Sequence, residues 1–91
     1  MLKRHEDALA ERIEAVAKKG FAFIEWYELY IWYTTERITK SIWRDLLDRV
    51  TQADDGKTKD CWIYQSPNGI LLIKEDKNLL KRASEWAGRQ D

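Results

Sequence analysis

The chain has 91 residues, and its 16 basic side chains balance 16 acidic ones to a formal net charge of zero. This balance excludes a protein that holds a polyanion through bulk positive charge. Hydrophobic residues make up 44% of the sequence, which is enough to bury a core, so we expect one small domain over residues 1–91. So short a chain buries only about 60–65% of its unfolded surface, and we therefore expect the five tryptophans to act as large anchors.

The chain has one cysteine, Cys61, and one histidine, His5, which excludes an internal disulfide framework and a zinc site with the usual ligand spacing. Residues 21–33, the longest apolar stretch, are broken by Glu25 and Glu28 and fall short of the roughly 20 residues that span a bilayer. The first 20 residues lack the continuous apolar run of a signal peptide. We therefore expect a cytoplasmic protein that needs no membrane, metal or cofactor.

Two helices are predicted in the first third of the chain. Leu9, Ile13 and Val16 recur at helical spacing and predict a helix over about residues 3–19, followed by a brief strand at 21–23. A second helix is predicted over about 24–33, and its apolar arc comprises Ile24, Trp26, Tyr27, Tyr30, Ile31 and Tyr33. We expect this arc to be core, with a base-stacking platform for single strands as the alternative.

The second helix leaves one tryptophan unexplained. The same helical geometry places Trp32 on the opposite stripe, beside Glu25 and Glu28 and away from the predicted core. Either another part of the chain covers it, such as a C-terminal helix carrying Trp86, or a partner protein does. The sequence therefore marks Trp32, Glu28 and Trp86 as a candidate partner interface.

A third helix is predicted over about residues 35–51, with Thr34 and Thr35 as candidate N-caps. Its apolar arc comprises Ile38, Ile42, Trp43, Leu46, Leu47 and Val50, and the outer arc comprises Arg37, Lys40, Ser41, Arg44, Asp45 and Asp48. This segment is the best-defined amphipathic element of the sequence.

A β-hairpin is predicted over about residues 60–74. Two short runs rich in β-branched and aromatic residues flank the turn formers 65–69, and we expect Gly69 to close the turn in the left-handed conformation. A last helix is predicted over about 77–88, with an apolar stripe of Leu79, Leu80, Ala83, Trp86 and Ala87.

The order helix, strand, helix, turn, helix and hairpin resembles the winged helix-turn-helix family, with an extra C-terminal helix. The resemblance covers residues 21–74 and is sharpest over 35–50, which looks like a recognition helix. It implies an α+β winged-helix fold whose third helix lies in the major groove while the hairpin wing touches the backbone or minor groove.

Carried over to this sequence, the resemblance implies specific contacts with duplex DNA. Arg37, Lys40, Ser41 and Arg44 take the positions that read bases and hold phosphates. Lys57, Lys59 and Lys74 lie near the wing in sequence and would add phosphate contacts. A small transcription regulator that acts as a homodimer through its terminal helices is the leading hypothesis. For Arg37, Lys40 and Arg44 the alternative is a solvated face paired with Glu36, Asp45 or Asp48.

The competing hypothesis keeps the fold and changes the partner. Some small phage and archaeal-virus proteins that resemble winged helices block a host protein, such as a polymerase or a defence complex. Zero net charge, the carboxylates Asp45 and Asp48 on the outer arc, and an outward Trp32 favour this adaptor or inhibitor role. An enzyme is not expected, because the sequence shows no nucleophile with a base, no sign of paired carboxylates in a cleft and no glycine-rich phosphate loop.

Overall fold

The chain adopts an α+β fold in which a small antiparallel sheet packs against helices on one face. The structure is a computed structural model that describes residues 1–74 and 83–88; of Trp86 it describes only the backbone. The described residues form four helices and three strands. The elements are α1 Lys3–Lys19, β1 Phe21–Glu25, α2 Trp26–Trp32, α3 Lys40–Ala53, β2 Cys61–Gln65, β3 Gly69–Lys74 and α4 Ala83–Trp86. No helix in this described part is both long and apolar enough to cross a membrane.

The sheet has the strand order β1-β3-β2, and both pairings are antiparallel. Gly20 ends α1 with a φ of 99°, which allows the chain to turn directly from the helix into β1. The hairpin strand β3 lies in the centre, and the full length of β1 pairs with it, from Phe21↔Ile73 to Glu25↔Gly69.

The core fills the space between the inner face of this sheet and the helices. Strands β1 and β3 contribute Ala22, Ile24, Ile70 and Leu72, all of which alternate onto one face. Helices α1, α2 and α3 cover that face with buried residues at helical spacing, namely Leu9, Ile13, Val16, Leu29, Trp32, Ile42, Leu46 and Val50.

The predicted orientation of the second helix is wrong. Leu29 and Trp32 face the core, and Trp32 is only 4% exposed, whereas Tyr27 and Ile31 of the predicted core arc are largely exposed. The helix is two turns long and apolar on nearly every side, so its own sequence could not fix which side packs inward. Its start is also later than expected, because Ile24 and Glu25 belong to β1.

The third helix begins five residues later than predicted, at Lys40, with Thr39 as its N-cap. Thr34 adopts a left-handed φ of 48°, and the N–H groups of Thr34 and Thr35 bond the carbonyls of Ile31 and Tyr30. These two hydrogen bonds form a Schellman motif at the end of α2. Thr34 and Thr35 therefore end α2 and do not cap α3. Arg37 therefore precedes α3 instead of lying on it.

The hairpin spans the predicted residues, but Gly69 has a different role from the one expected. Gly69 is not among the residues with positive φ. A Cβ at Gly69 would collide with the Ile24 carbonyl oxygen and lie 2.7 Å from Glu25 Cα, so glycine is required by the close approach of β1.

The tip of the hairpin is tied to the start of α2. The Trp26 indole N–H donates to the Ser66 carbonyl at 2.8 Å, and the Trp26 backbone N–H donates to the Asn68 carbonyl at 3.2 Å. The hairpin is therefore held against the body of the fold and does not project as a free wing.

The helix predicted over about residues 77–88 falls only partly within the described residues. Ala83–Trp86 form α4, and the side chains of Ala83, Ser84 and Glu85 are exposed. The remainder of that prediction, including Leu79 and Leu80, lies outside the described residues.

Candidate nucleic-acid interface

Three cations and a hydroxyl surround the start of α3. Lys40, Ser41 and Arg44 lie on its exposed side, and Arg37 is exposed in the segment just before it. Among the residues that the structure describes, Arg37, Lys40 and Arg44 form no ion pair. The alternative, in which they pair with Glu36, Asp45 or Asp48, is therefore not observed. Each of these cations is therefore available to an anion.

The carboxylate of Asp45 is ion-paired with Arg49, and its side chain remains 39% exposed. Its Oδ2 accepts hydrogen bonds from the Tyr33 hydroxyl at 2.6 Å and from Arg49 Nε at 2.7 Å. Arg49 also reaches Glu6 of α1, with 3.2 Å between Nη1 and Oε1. The sequence placed Asp45 on the outer arc with Lys40 and Arg44, but these partners hold it against the join between α1, α2 and α3.

This network shifts the proton affinity of its members. Burial opposes ionisation of the Asp45 carboxyl, but the hydrogen bonds from Tyr33 and Arg49 outweigh it, and the pKa of Asp45 lies below its ordinary value. Burial and the bond to Asp45 raise the pKa of the Tyr33 phenol. Asp45 is therefore a charged group paired with Arg49 at neutral pH, and Asp48 is exposed on the same arc.

The first turn of α3 adds backbone donors to the same surface. The Thr39 side chain makes no capping hydrogen bond to the helix; its Oγ1 lies 2.7 Å from the Ser41 Oγ instead. Free N–H groups at the start of a 14-residue helix, combined with nearby cations, suit a phosphate oxygen.

The three predicted wing lysines divide into two groups. Lys57 and Lys59 are exposed in the loop between α3 and β2. In contrast, Lys74 donates from Nζ to the Ala17 carbonyl at 3.0 Å and lies 3.6 Å from the Asp54 carboxylate. The amine of Lys74 thus has two partners within its own chain, and a contact with DNA stays a prediction.

The predicted partner interface is not assembled by the structure. Trp32 is buried, with the Arg12 guanidinium 5.7 Å from its ring centroid, so it is core and not an exposed anchor. Glu28 pairs with Arg12 at 3.0 Å and accepts the Glu25 backbone N–H as part of a capping box. The side chain of Trp86 lies outside the described residues.

A different apolar surface is exposed, which we call the aromatic sheet face. The strand register aligns Phe21, Ile73 and Trp62 in one row across the outer side of the sheet, and within this row Ile73 is buried. The next row along the same side is Phe23, Leu71 and Tyr64. The four aromatics are 44–64% exposed. The alternation of Phe21 with Phe23, and of Trp62 with Tyr64, was the available signal, since period-two aromatics mark one side of a strand.

Comparisons with known proteins add no assignment: no family model, no curated protein and no solved structure matches the chain. Within residues 1–74 and 83–88, no cluster of His, Cys, Asp or Glu is arranged to hold a metal ion.

Proposed function

We propose that this protein is a small winged-helix DNA-binding protein, and a transcription regulator, that holds duplex DNA through α3 and the segment before it. The order of its elements supports the winged-helix assignment, as does the pairing of β1 with the hairpin strand β3. A fold alone does not establish a function, because proteins with one fold have many functions, so the function must be argued from the site. The observation that carries the proposal is therefore the exposed, unpaired set of Arg37, Lys40 and Arg44.

Position and charge both favour a duplex as the ligand. A helix fits the major groove, where an arginine offers two donors to guanine and a lysine meets guanine or phosphate. The ion pair of Asp45 with Arg49 reduces the repulsion between the Asp45 carboxylate and phosphates beside Arg44. The zero net charge restricts the contact to this small oriented surface, with Lys57 and Lys59 as outlying phosphate contacts.

The hairpin has a structural role in this proposal. Its tip, residues 66–69, contains no Lys or Arg and is bonded to Trp26, so the contact with DNA depends on α3 more than on a wing. The alternative of a protein-binding adaptor or inhibitor loses one of its supports, because Trp32 is buried, but the zero net charge and the exposed Asp48 still favour it.

The test is a titration of a labelled 20-base-pair duplex, followed by fluorescence anisotropy at several salt concentrations. Three to five phosphate contacts predict that log K falls with log salt with a slope of about −3 to −4.5. Arg44→Ala should weaken binding and reduce the steepness by about one unit.

The matched control is Lys19→Ala, which removes an exposed cation at the end of α1, outside the set formed by Arg37, Lys40 and Arg44. It should leave both affinity and slope close to wild type. No binding at about 20 mM salt, or equal losses for the two variants, would refute the proposal, because bulk charge or no DNA contact would then explain the data.

A further inference from the structure

The hydrophobic core is closed at β1 and open at β2. The register places Ala22, Leu72 and Ile63 in one row across the helix side of the sheet. Ala22 is 6% exposed and Leu72 is 1% exposed, whereas Ile63 at the β2 end of the row is 37% exposed. Because the residues of one row share one side of a sheet, the apolar layer continues to β2 but is not covered there.

A gap between α3 and β2, which we call the α3–β2 groove, accounts for this exposure. Helix α3 packs more closely against α1 than against β2, and the groove left between α3 and β2 holds about 190 Å³. Its lining includes Trp43, Arg44 and Leu47 from α3, with Asp60, Cys61 and Ile63 from the other wall. Interfaces between copies of one chain often resemble a core cut in half, and the open side of this core has that character.

The free edge of β2 lacks the features that block pairing with another strand. Exposed edge strands are usually protected by charged side chains, by proline or by a bulge. Residues 61–65 contain neither a charge nor a proline, and their register with β3 is continuous. In the described part of the chain, no strand lies beyond β2. This edge is therefore a template for a further strand.

The hydrogen-bond pattern of the hairpin determines which backbone groups face this edge. The Ser66 N–H donates to the Gly69 carbonyl at 2.8 Å. Because bonded pairs alternate along an antiparallel ladder, the next residue of β2 that bonds β3 is Tyr64. Ile63 therefore directs its N–H and C=O groups to the free edge, as do the residues two positions to either side of it.

We infer that β2 pairs antiparallel with β2 of a second copy of this chain, about a two-fold axis beside Ile63. Ile63 then exchanges two backbone hydrogen bonds with Ile63 of the partner subunit, and the Gln65 N–H donates to the carbonyl of Cys61 of the partner subunit. The pairing makes about four such bonds and joins two three-stranded sheets into one continuous sheet. This contact differs from the terminal helices that the sequence suggested.

Side chains on both sides of the paired strands add to this contact. On the outer side, Trp62 lies opposite Tyr64 of the partner subunit, and the two-fold axis repeats this aromatic pair. On the helix side, Ile63 lies opposite its counterpart, so each copy covers the open side of the other copy's core. The strand is therefore self-complementary about its central residue.

The exposed area predicts a weak dimer. Taking about 200 Å² for an aromatic side chain, the exposed parts of Trp62 and Tyr64 amount to roughly 240 Å² in each copy. Two copies supply roughly 500 Å² before Ile63 and the groove are added, which is below the roughly 1,200 Å² that bounds small, transient interfaces. We therefore expect association at about 100 μM and a monomer at about 1 μM.

The first test is sedimentation velocity of the full-length protein over about 1–500 μM. The average mass should rise from 10.9 kDa towards twice that value. Ile63→Lys places two ammonium groups opposite each other at the axis and should weaken association at least about tenfold. If this variant melts at a much lower temperature than wild type, Gln65→Pro replaces it, because proline removes an N–H that faces the free edge and bonds nothing in β3.

The matched control is Ile31→Lys, the same substitution at an isoleucine of α2 that is 48% exposed. It should leave the association unchanged. A constant mass of 10.9 kDa up to about 500 μM, or equal weakening by Ile31→Lys, would overturn the inference.

The second test fixes the register by cross-linking, with Cys61→Ser to remove the native thiol. Chains with Ile63→Cys should oxidise to a linked dimer, because opposite residues lie about 5.5 Å apart, within the reach of a disulfide. Tyr64→Cys is the control, since its position is more exposed but lies on the diagonal to its counterpart, about 7–8 Å away. Faster linkage of the Tyr64→Cys chains, or no linkage of the Ile63→Cys chains, would overturn the pairing.

The inference does not depend on DNA binding. A dimer that fails to bind a duplex would refute the proposed function and leave the strand pairing in place. A monomer at every concentration that still binds a duplex with a salt-dependent affinity would do the reverse.

Discussion

Replacing Trp32 by alanine should be among the most damaging single changes in this protein. The side chain is 96% buried, since its exposed fraction is 4%, and it packs with Leu29 in the core cluster. Removing about 200 Å² of buried aromatic surface at 25 cal/mol per Å² costs about 5 kcal/mol, and measured Trp→Ala changes in cores cost about 3–5 kcal/mol. The loss of the Arg12 guanidinium contact, at 5.7 Å, adds to this cost.

The assay is urea unfolding followed by circular dichroism, with the free energy of unfolding extrapolated to water. Trp32→Ala should lower that free energy by about 3–5 kcal/mol and leave the urea slope unchanged. The matched control is Tyr27→Ala, an aromatic of the same helix that is 58% exposed, which should cost less than about 1 kcal/mol. Equal losses for the two variants, or a Trp32→Ala loss below about 1 kcal/mol, would refute the burial of Trp32.

Two further predictions concern the turn between α2 and α3 and the Asp45 network. Thr34→Gly should raise the free energy of unfolding by about 1 kcal/mol, because glycine adopts the φ of 48° without the strain that a β-branched residue carries; a loss of stability would show that the threonine side chain is needed there. For Asp45, the folded pKa lies below the unfolded value of about 3.9, so the stabilisation is present above that value and is lost as pH falls through the folded pKa. The melting temperature of Asp45→Asn should therefore be lower than wild type at pH 7 and fall less between pH 5 and 2, and parallel curves for the two proteins would contradict this assignment.

Much of the backbone could be predicted from the sequence, because strong periodic patterns and turn residues act locally. The first helix spans its predicted residues, and Gly20 ends it. The two hairpin strands lie where the β-branched runs predicted them, with the turn residues between. The coarse α+β class followed from these elements.

The orientation of α2 and the start of α3 could not be predicted, because both depend on tertiary contacts. Trp32 packs in the core beside Arg12, whereas the helical pattern placed it on the stripe of Glu25 and Glu28. Thr34 ends α2 in a conformation usually taken by glycine, so no glycine marked the turn. The hydrogen bonds of Asp45 likewise needed Tyr33 and Arg49 to be in place.

The central claim is that duplex DNA contacts α3, and amide chemical-shift mapping tests it most directly. On addition of a 20-base-pair duplex to the ¹⁵N-labelled protein at low salt, the amide signals of residues 37–48 and the indole N–H of Trp43 should move. The indole N–H of Trp62, on the aromatic sheet face, should not. Shifts confined to the aromatic sheet face, or no shifts at saturating duplex, would contradict the account.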